Sequence, residues 1–230
     1  MQHEFHQELQ AAAKGVLGSL GPTITPSDTE SSIAARAVGM LRQLGITETW
    51  YYQCPALVLL GFRSALSVSG RVYRAADEPV GELNLVTVDL SPSKGNVWAD
   101  CARSFPIEGG RFVEAPQDEE LAAGLQAEKI LHEAMVSFVT PATTFAALHA
   151  STSRILANLG YENLDMGNNF GHSIVSHLDA RKYIVATNDL ELGSAHYFTF
   201  EPHIRRCGGK WGIKHENIYC FSKAGRACAL

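Results

Sequence analysis

The chain has 230 residues, of which 46% are hydrophobic, and a formal net charge of −5. Its length and composition suit one soluble domain, predicted over residues 1–230. The acidic balance and the lack of a basic stripe argue against nucleic acid and anionic membranes as partners. No apolar run reaches the roughly 18 residues that span a bilayer. The first twenty residues lack the cationic start and apolar core of a secretory signal. We therefore expect a cytoplasmic protein.

Two helices are predicted at the N-terminus. Residues 2–20 carry apolar side chains at intervals of three and four, beginning with Phe5 and Leu9. We interpret residues 1–26 as an N-terminal helical extension of the domain. A second helix is expected after Ser27, where Ser27 and Glu30 have the spacing of a capping box, and Gly45 suits its end.

Strands and helices alternate irregularly after residue 49. Apolar runs predict strands over 57–60 and 83–90, and residues 96–105 are expected to return from a turn at 94–96. Helices are predicted at 117–138 and 142–159, followed by strands at 183–187, 196–204 and 213–221. The antiparallel hairpin argues against a series of parallel βαβ units and favours an α+β fold.

Five cysteines are present, and none is spaced as in a CxxC motif. An odd number of cysteines without that spacing argues against both a disulfide framework and a thiolate zinc site.

Two aspartates are the first candidates for a chemical site. Asp89 ends an apolar strand, and Asp100 is eleven positions further on, in the strand that returns. Side chains on one face of such a hairpin are about 5 Å apart. Two carboxylates at that distance repel each other unless a proton or cation lies between them. The pair alone favours one turn-capping aspartate and one solvated aspartate over a chemical site.

Three other residues, much later in the sequence, add to this pair of candidates. His172 follows a glycine-flanked segment, and Glu201 and Glu216 lie within apolar strands. A carboxylate in such a strand is costly to bury unless it is paired or bound to a metal. Alternation along the strand places Tyr197, Thr199, Glu201 and His203 on one face.

The order of these motifs resembles the pita-bread metallopeptidase family, which includes methionine aminopeptidase, aminopeptidase P, prolidase and creatinase. The resemblance runs from about residue 27 to the C-terminus. It is carried by five segments: Val88-Asp89-Leu90, Ala99-Asp100-Cys101, Gly171-His172-Ser173, Phe200-Glu201-Pro202 and His215-Glu216-Asn217. It implies an α+β pita-bread fold, with a curved, mostly antiparallel sheet flanked by helices.

The resemblance also implies a dinuclear metal centre. Its ligands would be Asp89, Asp100, His172, Glu201 and Glu216. Four oxygen-donor residues and one nitrogen donor favour manganese or iron(II), and cobalt and zinc also fit. Two ions could activate a shared water for attack on an amide carbonyl, with Glu201 taking the proton of that water. His177 would act on the substrate or on the developing charge, and His203 would reach the substrate pocket.

The chain departs from the family pattern in three places. The segment 69–74 has no histidine where the family's peptidases carry one for substrate, and Arg71 or Arg74 could serve instead. A guanidinium there would favour a substrate with a carboxylate. Lys214 stands where the family often has an arginine. No additional N-terminal domain is expected, so the loops of this domain or a partner chain in a homodimer would complete the pocket.

The predicted function is therefore a metal-dependent hydrolase, similar to aminopeptidases and Xaa-Pro peptidases, which cleaves a C–N bond in a small peptide or amino-acid derivative. Two other classes stay open. One is a metal enzyme with another chemistry, such as hydrolysis of a small non-peptide substrate or a redox reaction at iron. The other is a binding module that has kept the fold and lost catalysis. Metal content separates the module from the enzymes, and a substrate screen separates the two enzymes.

Overall fold

The structure is a computed structural model, and it describes residues 2–230. Over that range the chain forms four α-helices: α1 Gln2–Leu20, α2 Glu30–Gln43, α3 Glu119–Phe138 and α4 Phe145–Asn158. Each helix begins or ends within about three residues of its predicted bounds. Within residues 2–230, no helix combines the length and apolar character needed to cross a bilayer.

Thirteen short strands accompany the helices within the described range. They are β1 Glu48–Thr49, β2 Ala56–Leu60, β3 Leu83–Leu90, β4 Pro92–Lys94, β5 Val97–Trp98, β6 Cys101–Glu108, β7 Arg111–Phe112, β8 Tyr161–Asn163, β9 Phe198–Phe200, β10 His203–Arg206, β11 Gly212–Lys214, β12 Asn217–Phe221 and β13 Ala227–Ala229.

The strands form four small sheets, and every strand pair in them is antiparallel. The largest has the order β2-β3-β6-β7, and the others are β1-β4-β5, β11-β10-β8 and β13-β12-β9. Because helices accompany antiparallel sheets, the predicted α+β class is confirmed.

The buried apolar side chains of the described residues form two large cores and one smaller cluster around Trp50 and Trp98. Helices α1 and α2 pack on β2, β3 and β6, where Leu17, Ile33 and Val86 are fully buried or nearly so. Helices α3 and α4 enclose a second core with β9 and β10, which includes Phe145 and Phe198. Strand β3 contributes to both cores because successive side chains point to opposite faces of the sheet.

The expected hairpin after Asp89 has an additional break. Strands β4 and β5 form a tight hairpin in which Lys94 pairs with Val97, so the predicted turn at 94–96 is confirmed. The return strand is interrupted at Ala99 and Asp100, which divides it into β5 and β6. Of these two parts only β6 pairs with β3, with Asp89 opposite Ala102. Asp100 therefore lies just before its strand rather than directly across from Asp89.

Three other strand predictions need correction. Residues 183–187 form no strand, and Tyr183 makes only an isolated bridge to His172. The predicted strand 196–204 is divided into β9 and β10 at Glu201-Pro202, since proline has no N–H for a ladder. The predicted strand 213–221 is divided into β11 and β12 at His215-Glu216. Both breaks place a glutamate outside regular pairing.

The start of α2 also differs from its prediction. The capping box is formed by Thr29 and Ser32 rather than by Ser27 and Glu30. Glu30 is fully buried and its carboxylate accepts hydrogen bonds from Arg63 at 2.7 and 3.1 Å. It also accepts hydrogen bonds from the backbone N–H groups of Leu60 and Ala76. The Glu30 carboxylate, which the predicted capping box would have used, is therefore engaged in a buried ion pair with Arg63 instead.

Candidate metal centre

The structure brings the five candidate ligands to one place. Asp89 ends β3, Asp100 precedes β6, and Glu216 lies at the break between β11 and β12. Single carboxylate oxygens of these three residues all lie within 4.8 Å of one another. Asp100 and Glu216 are buried, and Asp89 is half-buried. The three carboxylates form the first half of the candidate centre, which we call the carboxylate triad.

His172 and Glu201 form the other half. The Nε2 atom of His172 lies 3.5 Å from Asp100 Oδ2 and 3.6 Å from Glu201 Oε1. These distances are too long for hydrogen bonds. Burial lowers the pKa of His172, and its Nδ1–H donates to the backbone oxygen of Ser173 at 3.0 Å. The neutral ring therefore presents the lone pair of Nε2 to two carboxylates, as a metal-binding histidine does.

The electrostatics of the triad also fit a bound cation. Burial, followed by repulsion from the neighbouring carboxylates, raises the pKa of Asp100 and of Glu216 well above the usual range. Both carboxylate oxygens of Glu216 are buried without a hydrogen-bond partner. A divalent ion would satisfy these oxygens and remove the mutual repulsion. The donor set therefore fits divalent metal ions, although the role of each residue stays a prediction.

Glu201 differs from the other carboxylates because it has partners. Thr199 Oγ1 donates to Glu201 Oε1 at 2.9 Å, and Lys214 Nζ is 3.0 Å from Glu201 Oε2. Burial opposes ionisation of Glu201, but the Lys214 ammonium and the hydrogen bonds from Lys214 and Thr199 lower its pKa. Glu201 is thus held as a carboxylate at the wall of the site, in the form needed to accept a proton.

Backbone contacts from distant elements hold the ligands in place. The side chain of Gln10 in α1 is fully buried. It accepts a hydrogen bond from the backbone N–H of Asp100 at 3.1 Å and donates one to the backbone oxygen of Asp100 at 2.8 Å. On the other side, Arg103 donates to the backbone oxygen of Glu216 at 2.6 Å and to Asn217 Oδ1 at 2.8 Å. Neither residue was identified from the sequence. The signal for Gln10 is its position on the buried stripe of α1, whereas the predicted Phe5 is half exposed.

Gly171 allows His172 to approach β9 closely. Its φ of +139° is outside the range that residues with a Cβ readily adopt, and a Cβ there would overlap the backbone oxygen of Thr199. The backbone N–H of Thr199 donates to the oxygen of His172 at 2.7 Å. A side chain at position 171 must therefore push His172 away from the strand.

Replacing Gly171 with alanine is expected to destabilise the protein more than the same change at Gly208. Gly208 has a φ of +74°, and a Cβ there would meet no atom within 4 Å. Alanine at Gly208 should cost roughly 1–2 kcal/mol for the backbone conformation alone. Urea unfolding of both variants measures the difference, and equal losses would show that the contact with Thr199 is easily relieved.

A buried histidine of α3 contacts the backbone next to Glu216. His132 in α3 lies between the hydroxyl of Tyr219 (2.8 Å from Nδ1) and the backbone oxygen of His215 (3.0 Å from Nε2). Burial lowers the pKa of His132 to about 4 and raises that of Glu128 well above its usual range. Glu128 Oε2 is 3.9 Å from His132 Nε2, and both pKa shifts favour the neutral groups over an ion pair. The ring of His215 packs on His132, away from the carboxylate triad.

Acid should destabilise the protein through His132. The unfolded chain binds a proton at this position below pH about 6.5, whereas the folded chain binds it only below pH about 4. The stability that His132 contributes is therefore lost as the pH falls from 6.5 to 4. We expect His132→Gln to reduce the decrease in Tm over this range, whereas His196→Gln, an exposed control, should leave it unchanged. Parallel decreases for all three proteins would contradict this.

The candidate metal centre opens into a cavity of about 490 Å³. Its polar lining includes Asp89, Asp100, His172, Glu201 and Lys214, and its apolar lining includes aromatic and aliphatic residues such as Trp50, Tyr51, Leu57, Leu59 and Val185. Its size suits a small ligand. His203 also lines the cavity; its Nε2–H donates to the oxygen of Ser64 at 2.6 Å, and burial lowers its pKa to about 4.

Two other predicted substrate residues lie elsewhere. His177 is exposed and is not among the residues that line the cavity. Arg71 lines a neighbouring groove, where its guanidinium lies 4.4 Å from the centre of the Tyr52 ring. Within the cavity the guanidinium belongs to Arg181, which lies over the rings of Trp50 and Tyr183 at 5.5 and 5.2 Å. The geometry therefore favours Arg181 over His177 and Arg71. Arg181 follows an irregular segment, where no periodic pattern marks it.

Solved structures share this fold. An X-Pro aminopeptidase from Thermotoga maritima superposes with a TM-score of 0.81 at 20% identity, over 99% of this chain and 60% of that one. For a prolidase from Pyrococcus furiosus the TM-score is 0.77 at 20% identity, over 99% and 63% of the two chains. For a methionine aminopeptidase from Thermotoga maritima it is 0.76 at 12% identity, over 95% and 91%. The predicted pita-bread fold is thereby confirmed.

The chain spans about three fifths of the first two of these structures. A search of curated proteins found no significant match. The sequence does match the model of one protein family, metallopeptidase family M24, over residues 4–223. Because that match extends over nearly the whole chain and agrees with the fold, the protein belongs to metallopeptidase family M24.

Proposed function

We propose that the protein is a metal-dependent hydrolase that cleaves an amide bond in a small peptide or amino-acid derivative. One observation carries the proposal: four carboxylates and the free Nε2 lone pair of a neutral histidine converge beside a cavity, and all of these residues except the fully buried Glu216 line it. Buried carboxylates at such spacing are stable when a cation lies among them. Membership of metallopeptidase family M24 supports the same function.

Asp89, Asp100, His172, Glu201 and Glu216 would hold the metal, and these five ligand residues could take up to two divalent ions. Oxygen-rich ligands favour manganese or iron(II). When bound, such ions lower the pKa of a water and polarise a carbonyl. Glu201, whose lowered pKa favours the carboxylate, would accept a proton from the attacking water and return it to the leaving amine.

Arg181 extends the proposal to the substrate. Its Nε–H donates to the backbone oxygen of Leu178, which leaves the other guanidinium N–H groups to face the cavity. A guanidinium can bind a carboxylate through two parallel hydrogen bonds. We therefore infer a substrate with a free carboxylate, such as a dipeptide.

Arg181→Met is expected to lower kcat/KM for dipeptides at least about 10-fold, because a hydrogen bond to a charged group contributes roughly 1.5–3 kcal/mol. The activity on the same dipeptides with an amidated C-terminus should change little. Arg71→Met is the matched control, since it removes a guanidinium from the neighbouring groove. Equal losses on both substrate forms would contradict carboxylate recognition by Arg181.

Metal analysis followed by a substrate screen tests the function itself. The protein is purified without chelators, and its manganese, iron, cobalt and zinc are measured per chain. Dipeptides, amidated dipeptides, small amides and guanidino compounds are then assayed with the metal found. Hydrolysis of dipeptides supports the proposal, and hydrolysis of small amides alone indicates the non-peptidase alternative. A folded protein that binds no metal would be a binding module.

A further inference from the structure

Lys214 has an unusual position for a buried lysine. It is the last residue of β11, and its side chain is only 15% exposed. Its Nζ lies 2.7 Å from Asp89 Oδ2, 3.0 Å from Glu201 Oε2 and 3.3 Å from Glu216 Oε2. An ammonium group has three N–H donors. The ammonium donates a hydrogen bond to Asp89 and lies within ion-pair distance of Glu201 and Glu216, and all three carboxylates belong to the candidate metal ligands.

The ammonium joins the two halves of the centre. Asp89 and Glu216 belong to the carboxylate triad, whereas Glu201 lies on the side of His172. A cation in contact with oxygens from both halves uses the lone pairs that divalent ions would need. Two divalent ions would by themselves balance four carboxylates, and the ammonium is a fifth positive charge in the same buried cluster. Like charges this close repel strongly where water is excluded.

We propose that the Lys214 ammonium takes the place of one of the two divalent ions, so that the protein binds one ion fewer than its five ligand residues could hold. The inference rests on the proposed metal site and makes it more specific. Lys214 is then a built-in cation of the centre. Replacing it with an uncharged residue should free the oxygens that it occupies and allow one more ion to bind.

The experiment compares the stoichiometry of manganese binding in four proteins. Calorimetric titration and equilibrium dialysis with elemental analysis give the number of Mn²⁺ ions per chain. We expect one ion for the wild type and two for Lys214→Met. Lys214→Arg keeps the positive charge and should bind as many ions as the wild type. Lys223→Met removes an exposed lysine elsewhere and should leave the count unchanged.

A folding check and a second readout accompany the ion count. Circular dichroism shows whether each variant is folded, and Lys214→Gln replaces Lys214→Met if the latter does not fold. Paramagnetic resonance gives an independent readout, because two adjacent Mn²⁺ ions couple and lose the spectrum of an isolated ion.

Each outcome has a separate meaning. One additional ion in the uncharged variant supports the inference. Two ions in the wild type, or equal counts in the wild type and the uncharged variant, would overturn it and leave the proposed hydrolase intact. If no protein binds Mn²⁺ or any other divalent ion, both the inference and the proposed metal site are wrong.

Discussion

Asp100→Asn is expected to weaken metal binding by more than about 100-fold. Loss of a residue that only hydrogen-bonds to a metal ligand costs about 10- to 100-fold in affinity, and loss of a ligand itself should cost more. Hydrolysis should fall with it. Asp100 is buried, belongs to the carboxylate triad and faces Nε2 of His172. Asparagine has the same shape but lacks the negative charge, so the backbone contacts with Gln10 can persist while the attraction for a cation is lost.

Titration with Mn²⁺ and an assay at saturating metal check this expectation. Asp179→Asn is the control, because Asp179 is exposed on a short turn away from the triad. If Asp100→Asn binds metal as tightly as the wild type, Asp100 is not a ligand. If it binds metal normally but is inactive, Asp100 acts in the reaction rather than in holding the ion.

Glu30→Ala is expected to lower the free energy of unfolding by about 3–5 kcal/mol, the usual cost of removing one partner of a buried ion pair. The carboxylate accepts four hydrogen bonds: two from Arg63 and one each from the backbone N–H groups of Leu60 and Ala76. Alanine leaves the guanidinium and two N–H groups without their acceptor. A loss of this size is a large part of the roughly 5–15 kcal/mol that stabilises a typical domain.

Urea unfolding monitored by tryptophan fluorescence gives the change. Glu133→Ala is the control, since Glu133 is 65% exposed and its contact with Lys129 is 3.9 Å long. The control should change by less than about 0.5 kcal/mol. A loss below about 1 kcal/mol for Glu30→Ala would mean that water or other groups replace the carboxylate, and that the network is less buried than its contacts indicate.

The helices could be predicted from the sequence because apolar spacing and end signals are local. The divided strands could not. The runs from Tyr197 to Ile204 and from Ile213 to Phe221 each have strand-like composition, but both are broken at a glutamate. Pro202 is a local signal for the first break, whereas no local pattern marks the break at Glu216. The breaks are also where the two glutamates turn toward the other ligands, so the positions that periodicity misses are the functional ones.

The candidate ligands were found by family resemblance rather than from spacing alone. Residues 89 to 216 are brought together by four sheets, and no local pattern contains that information. Lys214 and Arg181 show the limit most clearly. Lys214 could be seen in the sequence only as a substitution for arginine, and its contact with three carboxylates depends on distances between separate elements.

The contact between Gln10 and Asp100 couples the metal centre to α1. One glutamine side chain binds both backbone groups of a candidate ligand. Packing of α1 against the site and binding of an ion are therefore thermodynamically coupled. A metal that binds more tightly when α1 is docked must hold α1 in place by the same factor. Amide hydrogen exchange in α1 should then slow when Mn²⁺ is added, although no residue of that helix belongs to the ligand set.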